Sequence, residues 1–184
     1  MSAKEIRLHG RGGQGAVMAG KMLASAAAAE GKYVASFPMY GFERRGMPVV
    51  AFTRVSEEPI CEKTQIYTPD CLMVVDPTLL NIKTLFDGLK EGGILILNSS
   101  KPLDKQPSPN LQKAGVINAT QVALEEIGRD IPNTCLMGAL AKVTGWITID
   151  SILSGLEDYL DGDMLKRNIR NAERGYQEVE VVTW

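Results

Sequence analysis

Ile6-Arg-Leu-His-Gly-Arg-Gly-Gly-Gln-Gly15 is the stretch on which the reading of this chain turns. Its first residues belong to a short apolar strand, Glu5–His9, and the glycines predict a sharp turn into an Ala-rich helix over Gly15–Glu30. Four glycines fall within six residues: Gly10, Gly12, Gly13 and Gly15. With no side chains in the way, a ligand can rest on peptide N–H groups at a helix N-terminus, which favours phosphate or another anion. Gly10-x-Gly12-x-x-Gly15 also fits the dinucleotide fingerprint. A dinucleotide site further needs an acidic residue at the end of the second strand to hold the ribose. The second strand, Tyr33-Val-Ala-Ser-Phe-Pro38, offers Ser36 or Phe37 there and no Asp or Glu. Nor is the loop a P-loop, since no Gly-Lys-Ser/Thr follows. A ligand-free turn is the remaining alternative, although four glycines exceed what a turn requires. Arg11 adds reach towards a phosphate or carboxylate, and Gln14 towards an amide or a pyrimidine edge.

Further strands are predicted at Tyr33–Phe37, Val49–Val55, Leu72–Asp76, Ile94–Asn98 and Gly115–Asn118, each short and rich in Ile, Val or Leu. Helices are predicted at Thr78–Leu89, Thr120–Ile127, Thr134–Thr144, Ile149–Leu160 and Met164–Val179, with Asp150 and Asp163 suited to helix starts. Apolar strands interleaved with helices imply an α/β fold whose mostly parallel sheet is covered on both faces. Between Val49 and Lys63 two β-rich stretches follow without a helix, so a mixed or antiparallel edge is expected there. Lys101–Asn110 carries Pro102, Pro107 and Pro109 and reads as a surface excursion.

The bulk numbers narrow the function. A chain of 184 residues suits one domain with a sizeable core. A net charge of −2 gives no bulk attraction to nucleic acid or an anionic membrane. The start, Met-Ser-Ala-Lys-Glu-Ile-Arg7, is not expected to be a signal peptide, and the small-apolar run to Ala29 contains Lys21 and is too short to span a bilayer. A cytoplasmic protein is expected. Cys61, Cys71 and Cys135 are odd in number and far apart, which fits reduced thiols better than a disulfide, zinc or iron–sulfur framework. His9 is the sole histidine, so no Ser/His/Asp set can form, and no catalytic or metal-binding residue is assigned.

A second constellation follows the second strand: Pro38-Met-Tyr-Gly-Phe-Glu-Arg-Arg-Gly-Met-Pro48. Loops after parallel strands gather at one sheet edge, so this one is expected beside Gly10–Gly15. It carries Tyr40, Glu43, Arg44, Arg45 and flexible Gly41 and Gly46. It reads either as a solvated loop with an Arg–Glu ion pair or as an anion-recognition or subunit-docking loop.

Taken together, Gly-Arg-Gly-Gly-Gln-Gly15 and Tyr40-Gly-Phe-Glu-Arg-Arg-Gly-Met-Pro-Val49 resemble the gamma subunit of 2-oxoacid:ferredoxin oxidoreductases, thiamine-diphosphate enzymes that include pyruvate synthase. Asn98-Ser99 and Asn133-Thr-Cys-Leu-Met-Gly-Ala-Leu140 extend the match along nearly the whole chain. Where many relatives carry Gly-Gly, this chain has Gly46-Met47, closer to the pyruvate or branched-chain type.

The resemblance implies a single gamma-type domain over residues 1–184, a Rossmann-like three-layer sandwich with a helical C-terminus. It implies a complex that decarboxylates a 2-oxoacid, passes electrons through iron–sulfur clusters to ferredoxin and hands the acyl group to coenzyme A. Thiamine diphosphate, magnesium and the clusters are expected on partner alpha, beta and delta subunits. Asp161-Gly-Asp163 only echoes the thiamine-diphosphate motif and reads as a turn. The residues implied at a coenzyme A site are Gly10, Arg11, Gly12, Gly13, Gln14, Gly15, Tyr40, Glu43, Arg44, Arg45, Gly46, Asn98 and Ser99. Two other classes stay open: a stand-alone NAD(P)- or flavin-dependent oxidoreductase, and a non-enzymatic assembly module.

Overall fold

The computed structural model describes residues 3–39 and 45–184. Strands β1 (Lys4–Arg11), β2 (Tyr33–Pro38), β3 (Pro48–Ser56), β4 (Cys71–Val74), β5 (Gly93–Asn98), β6 (Leu111–Ile117) and β7 (Glu180–Thr183) form one sheet in the order β2-β3-β1-β4-β5-β6-β7. Its centre, β1-β4-β5-β6, is parallel, as expected of apolar strands joined by crossovers. Both edges are antiparallel. β3 lies between β2 and β1 and opposes both, and β7 opposes β6. The mixed edge expected after Val49 is therefore β3, while residues 57–63 form no strand.

Both faces of the sheet are covered, but unequally. One carries all five α-helices: α1 (Ala16–Ala29), α2 (Ala119–Glu126), α3 (Asn133–Thr144), α4 (Ile149–Leu156) and α5 (Gly162–Glu178). α1 packs on β1–β3 and α3 on β5 and β6; α4 packs over α1, and α2 and α5 over α3. Strand alternation aims Ile6, Leu8, Cys71, Met73 and Ile96 into this helical core. Leu72, Val74, Leu95 and Leu97 point the other way, onto Leu79, Leu85 and Leu89.

Those three leucines do not lie on the helix expected over Thr78–Leu89. Pro77–Asn81 make one 3₁₀ turn capped by Asp76, and Ile82 returns to extended backbone. Thr78, Asn81, Ile82 and Thr84 are weak helix formers, and the leucines reach the sheet from successive turns instead. Other elements differ from expectation as well. β6 begins at Leu111, four residues before the expected strand, and β7 takes the tail that follows α5. α4 ends at Leu156, with turns through Tyr159. Among the described residues no helix is long and apolar enough to cross a membrane.

Candidate functional site

The carboxyl edge of the parallel strands gathers the glycine loop, the start of β3, and the ends of β4, β5 and β6. β1 runs out at Arg11, and the loop closes on itself: Gln14 N–H donates to the Arg11 carbonyl (3.1 Å), and the Gln14 amide oxygen accepts from Arg11 N–H (2.8 Å). Gly13 and Gly15 have φ of 100° and 82°, left-handed values that side chains disfavour. A Cβ on Gly15 would also fall 2.6 Å from Asn133 Nδ2, because α3 begins against this turn. Gly15 then caps α1 without any side-chain hydrogen bond, and no acidic residue occupies the first helical turn. The ladder starts with Ala19 N–H to the Gly15 carbonyl (2.8 Å), so it leaves the amides of Ala16, Val17 and Met18 without helical partners.

The second constellation does meet the first. Gly12 N–H donates to the Met47 carbonyl (2.9 Å), and Gly46 N–H to the Gly12 carbonyl (3.1 Å). A cleft of ≈ 550 Å³ opens between them, lined by Arg11, Gly12, Gly13, Gly15, Ala16, Val17, Met18, Arg45 and Val49. Arg45 is exposed and makes no ion pair among the described residues. The expected sites Tyr40, Glu43 and Arg44 lie outside the described residues.

Arg11 and Gln14, both half-buried, converge on one carboxylate. Both donate to one oxygen, Oδ2 of Asp76 at the end of β4: Arg11 Nε at 3.1 Å and Gln14 Nε2 at 2.9 Å. Arg11 also donates to the Gly46 carbonyl (3.1 Å) and the Thr78 hydroxyl (3.0 Å). The other Asp76 oxygen, Oδ1, accepts from Thr78 N–H at 2.9 Å and from the Thr78 hydroxyl. Burial alone would raise the Asp76 pKa. Hydrogen bonds from Thr78 and Gln14 and the adjacent Arg11 charge outweigh it and hold the carboxyl below its ordinary value. Sequence reading passed over Asp76 as a strand end. Asp-Pro-Thr78, a capping residue before proline, was the available signal.

Asn98 and Ser99 do not join the cleft. Asn98 is buried, donating to the Val75 carbonyl and the Thr120 hydroxyl (both 2.9 Å) and accepting from Thr120 N–H (3.2 Å), which ties β5 to β4 and α2. The Ser99 hydroxyl accepts from Lys101 N–H (3.0 Å), a turn before Pro102, and lines a separate depression with Gln121 and Arg174. His9 Nε2 accepts from Arg7 Nε (2.9 Å). Burial, with the Arg7 charge, lowers its pKa to about 3. Cys71 and Cys135 are buried on β4 and α3, where desolvation raises both thiols, that of Cys135 to about 12; Cys61 is exposed. Among the described residues no group of three or more His, Cys, Asp or Glu can hold a metal ion, so these side chains do not fit an iron–sulfur cluster.

The dinucleotide reading fails on topology as well as on the missing acid. In that fold the second strand lies parallel beside the first. Here antiparallel β3 takes that place, and β2 is displaced to the edge.

Comparison with known proteins places the whole chain in one family. Residues 5–178 match the family described as pyruvate ferredoxin/flavodoxin oxidoreductase. The pyruvate/ketoisovalerate oxidoreductases common subunit gamma of Pyrococcus furiosus is 47% identical, over 96% of this chain and 97% of its own length. The solved pyruvate oxidoreductase subunit PORC of Thermotoga maritima superposes with a TM-score of 0.87 at 40% identity, covering 98% of this chain and 99% of that one. The fold also recurs, at 20% identity and a TM-score of 0.75, within a longer chain of 2-oxoglutarate:ferredoxin oxidoreductase from Magnetococcus marinus, solved with 2-oxoglutarate, coenzyme A and succinyl-CoA bound; 96% of this chain matches 31% of that one. This chain belongs to the pyruvate ferredoxin/flavodoxin oxidoreductase family.

Proposed function

We propose that this chain is the gamma component of a cytoplasmic 2-oxoacid:ferredoxin oxidoreductase complex, and that its glycine-loop cleft forms one wall of the coenzyme A site. The observation that carries this reading is the pairing of Gly12 with Gly46 and Met47, which opens a cleft where the α1 amides and Arg45 converge. Coenzyme A brings phosphates, which suit a guanidinium and helix N-terminal amides, and a chain of amides, which suits bare glycine backbone. The apolar stretches of Val17, Met18 and Val49 suit its pantetheine methylenes. Tyr40, Glu43 and Arg44 belong to the same proposed wall by sequence.

Thiamine diphosphate, magnesium and iron–sulfur clusters belong on alpha, beta and delta partners, with ferredoxin as acceptor for the whole assembly. This chain orients coenzyme A towards an acyl group formed elsewhere and contributes no redox step of its own.

Gly13→Val tests the reading. A valine side chain there strains the left-handed backbone and occupies the cleft beside Arg45, so acyl transfer in the reconstituted complex should fall at least about tenfold, with the loss in KM for coenzyme A. The strain at positive φ should lower the thermal midpoint by a few degrees, while complex assembly and KM for the 2-oxoacid should change little. Unaltered coenzyme A dependence would sink the assignment.

A further inference from the structure

We propose that Asp76 is a positioning residue for the coenzyme A cleft, acting through Arg11 and Gln14 to hold the glycine loop against the Arg45–Met47 segment. This rests on the cleft being the coenzyme A site, as set out above.

The two Asp76 oxygens have separate tasks. Oδ1 caps the 3₁₀ turn through Thr78 N–H. Oδ2 takes no part in that cap and accepts from Arg11 Nε and Gln14 Nε2 together. Arg11 lines the cleft but spends its remaining contacts on the Thr78 hydroxyl and the Gly46 carbonyl, so its guanidinium is already engaged with Asp76 and with the segment that carries Arg45. Gln14 uses both ends of its side-chain amide, one on Asp76 and one on Arg11 N–H, and its own N–H meets the Arg11 carbonyl, which fixes the peptide planes on either side of Arg11. A buried carboxylate receiving these donors is costly to disturb, because loss of the charge strands a guanidinium and an amide at once. Of the arginines lining the cleft among the described residues, Arg11 is therefore a bracket held by Asp76, and Arg45, with no ion pair there, is the one left to meet ligand.

Asp76→Asn separates cap from clamp. The carboxamide oxygen still caps Thr78, but the NH₂ that replaces Oδ2 cannot accept from Arg11 or Gln14. Hydrogen exchange on the isolated chain should then quicken at least about tenfold at the amides of Gly12 and Gly46 and stay at wild-type rates in α3 and α5. Arg11→Ala should give the same pattern, and the double variant should exchange no faster than Asp76→Asn alone. Unchanged exchange at Gly12 and Gly46, or additive effects, would overturn the proposal. In the reconstituted complex Asp76→Asn should raise KM for coenzyme A about tenfold while KM for the 2-oxoacid moves less than about twofold. If Gly13→Val raises that KM and Asp76→Asn does not, the positioning role is wrong. If neither raises it, the coenzyme A reading is wrong, and hydrogen exchange alone decides the clamp.

Discussion

His9 sits where β1 approaches the glycine loop, and its chemistry is that of a neutral acceptor. Its Nε2 accepts a hydrogen bond from Arg7 Nε–H, so a proton on that nitrogen would break the bond and set two cations side by side. The folded pKa of about 3 lies below the unfolded value of 6.5. Between the two the unfolded chain binds more protons, so stability must fall as pH drops through that window. Buried and paired carboxylates act lower. Glu30, whose burial is outweighed by hydrogen bonds from Lys32, Thr148 and Ser151, is held at about 2, so its contribution is lost only as pH falls from its ordinary 4.5 towards that value. In urea midpoints measured between pH ~6.5 and ~5 the His9 contribution dominates, and comparison with a His9 variant separates it from the carboxylates that begin to act near 4.5. The wild type should lose on the order of 2 kcal/mol over that range, and His9→Gln should lose much less.

At the scale of elements, the α3–α5 pair is the tightest junction in the molecule. A Cβ on Gly138 would overlap the Ala172 carbonyl oxygen, and one on Gly175 would overlap the Cys135 carbonyl oxygen, so each helix presses its backbone into a notch on the other. Thr134, Asn168 and Asn171 hydrogen-bond within the same interface. Gly138→Ala should cost about 3 kcal/mol, read as a lowered urea midpoint, since neither backbone can retreat without unpacking the helical layer. Such notches leave little trace in sequence. Gly138 and Gly175 look like ordinary helical glycines until the partner helix is in place. What was legible was local: the β1 turn and α1, the apolar strands, and the outer helices with their polar faces. The 77–90 segment misled because Leu79, Ile82, Phe86 and Leu89 fall at helical spacing, while the residues between them favour turns. Asp76 escaped notice because its partners Arg11 and Gln14 are 65 and 62 residues away, a separation no spacing argument spans.

For the whole molecule, strand order decides what the chain can do alone. Placing β3 antiparallel beside β1 brings Arg45–Met47 onto the glycine loop and displaces β2, which converts a nominal dinucleotide turn into an open, one-sided cleft. Such a cleft supplies binding groups but no nucleophile, cluster or metal set among its described residues. The isolated chain should therefore melt as a folded protein yet reduce no viologen dye with any 2-oxoacid and coenzyme A. Dye reduction should appear only when the other subunits are added. Dye reduction by the purified chain alone would contradict the division of labour.

The three thiols divide in a way that gives the experimenter a handle. Cys71 and Cys135 are sealed in the core, whereas Cys61 is exposed beside Ala3 and Ser56, at the amino edge of β1 and so at the end of the sheet opposite the glycine loop. A maleimide dye therefore labels the native chain at one place without mutagenesis. Placed there, the dye leaves the cleft unobstructed and reports, by its tumbling, when partner chains assemble around this one.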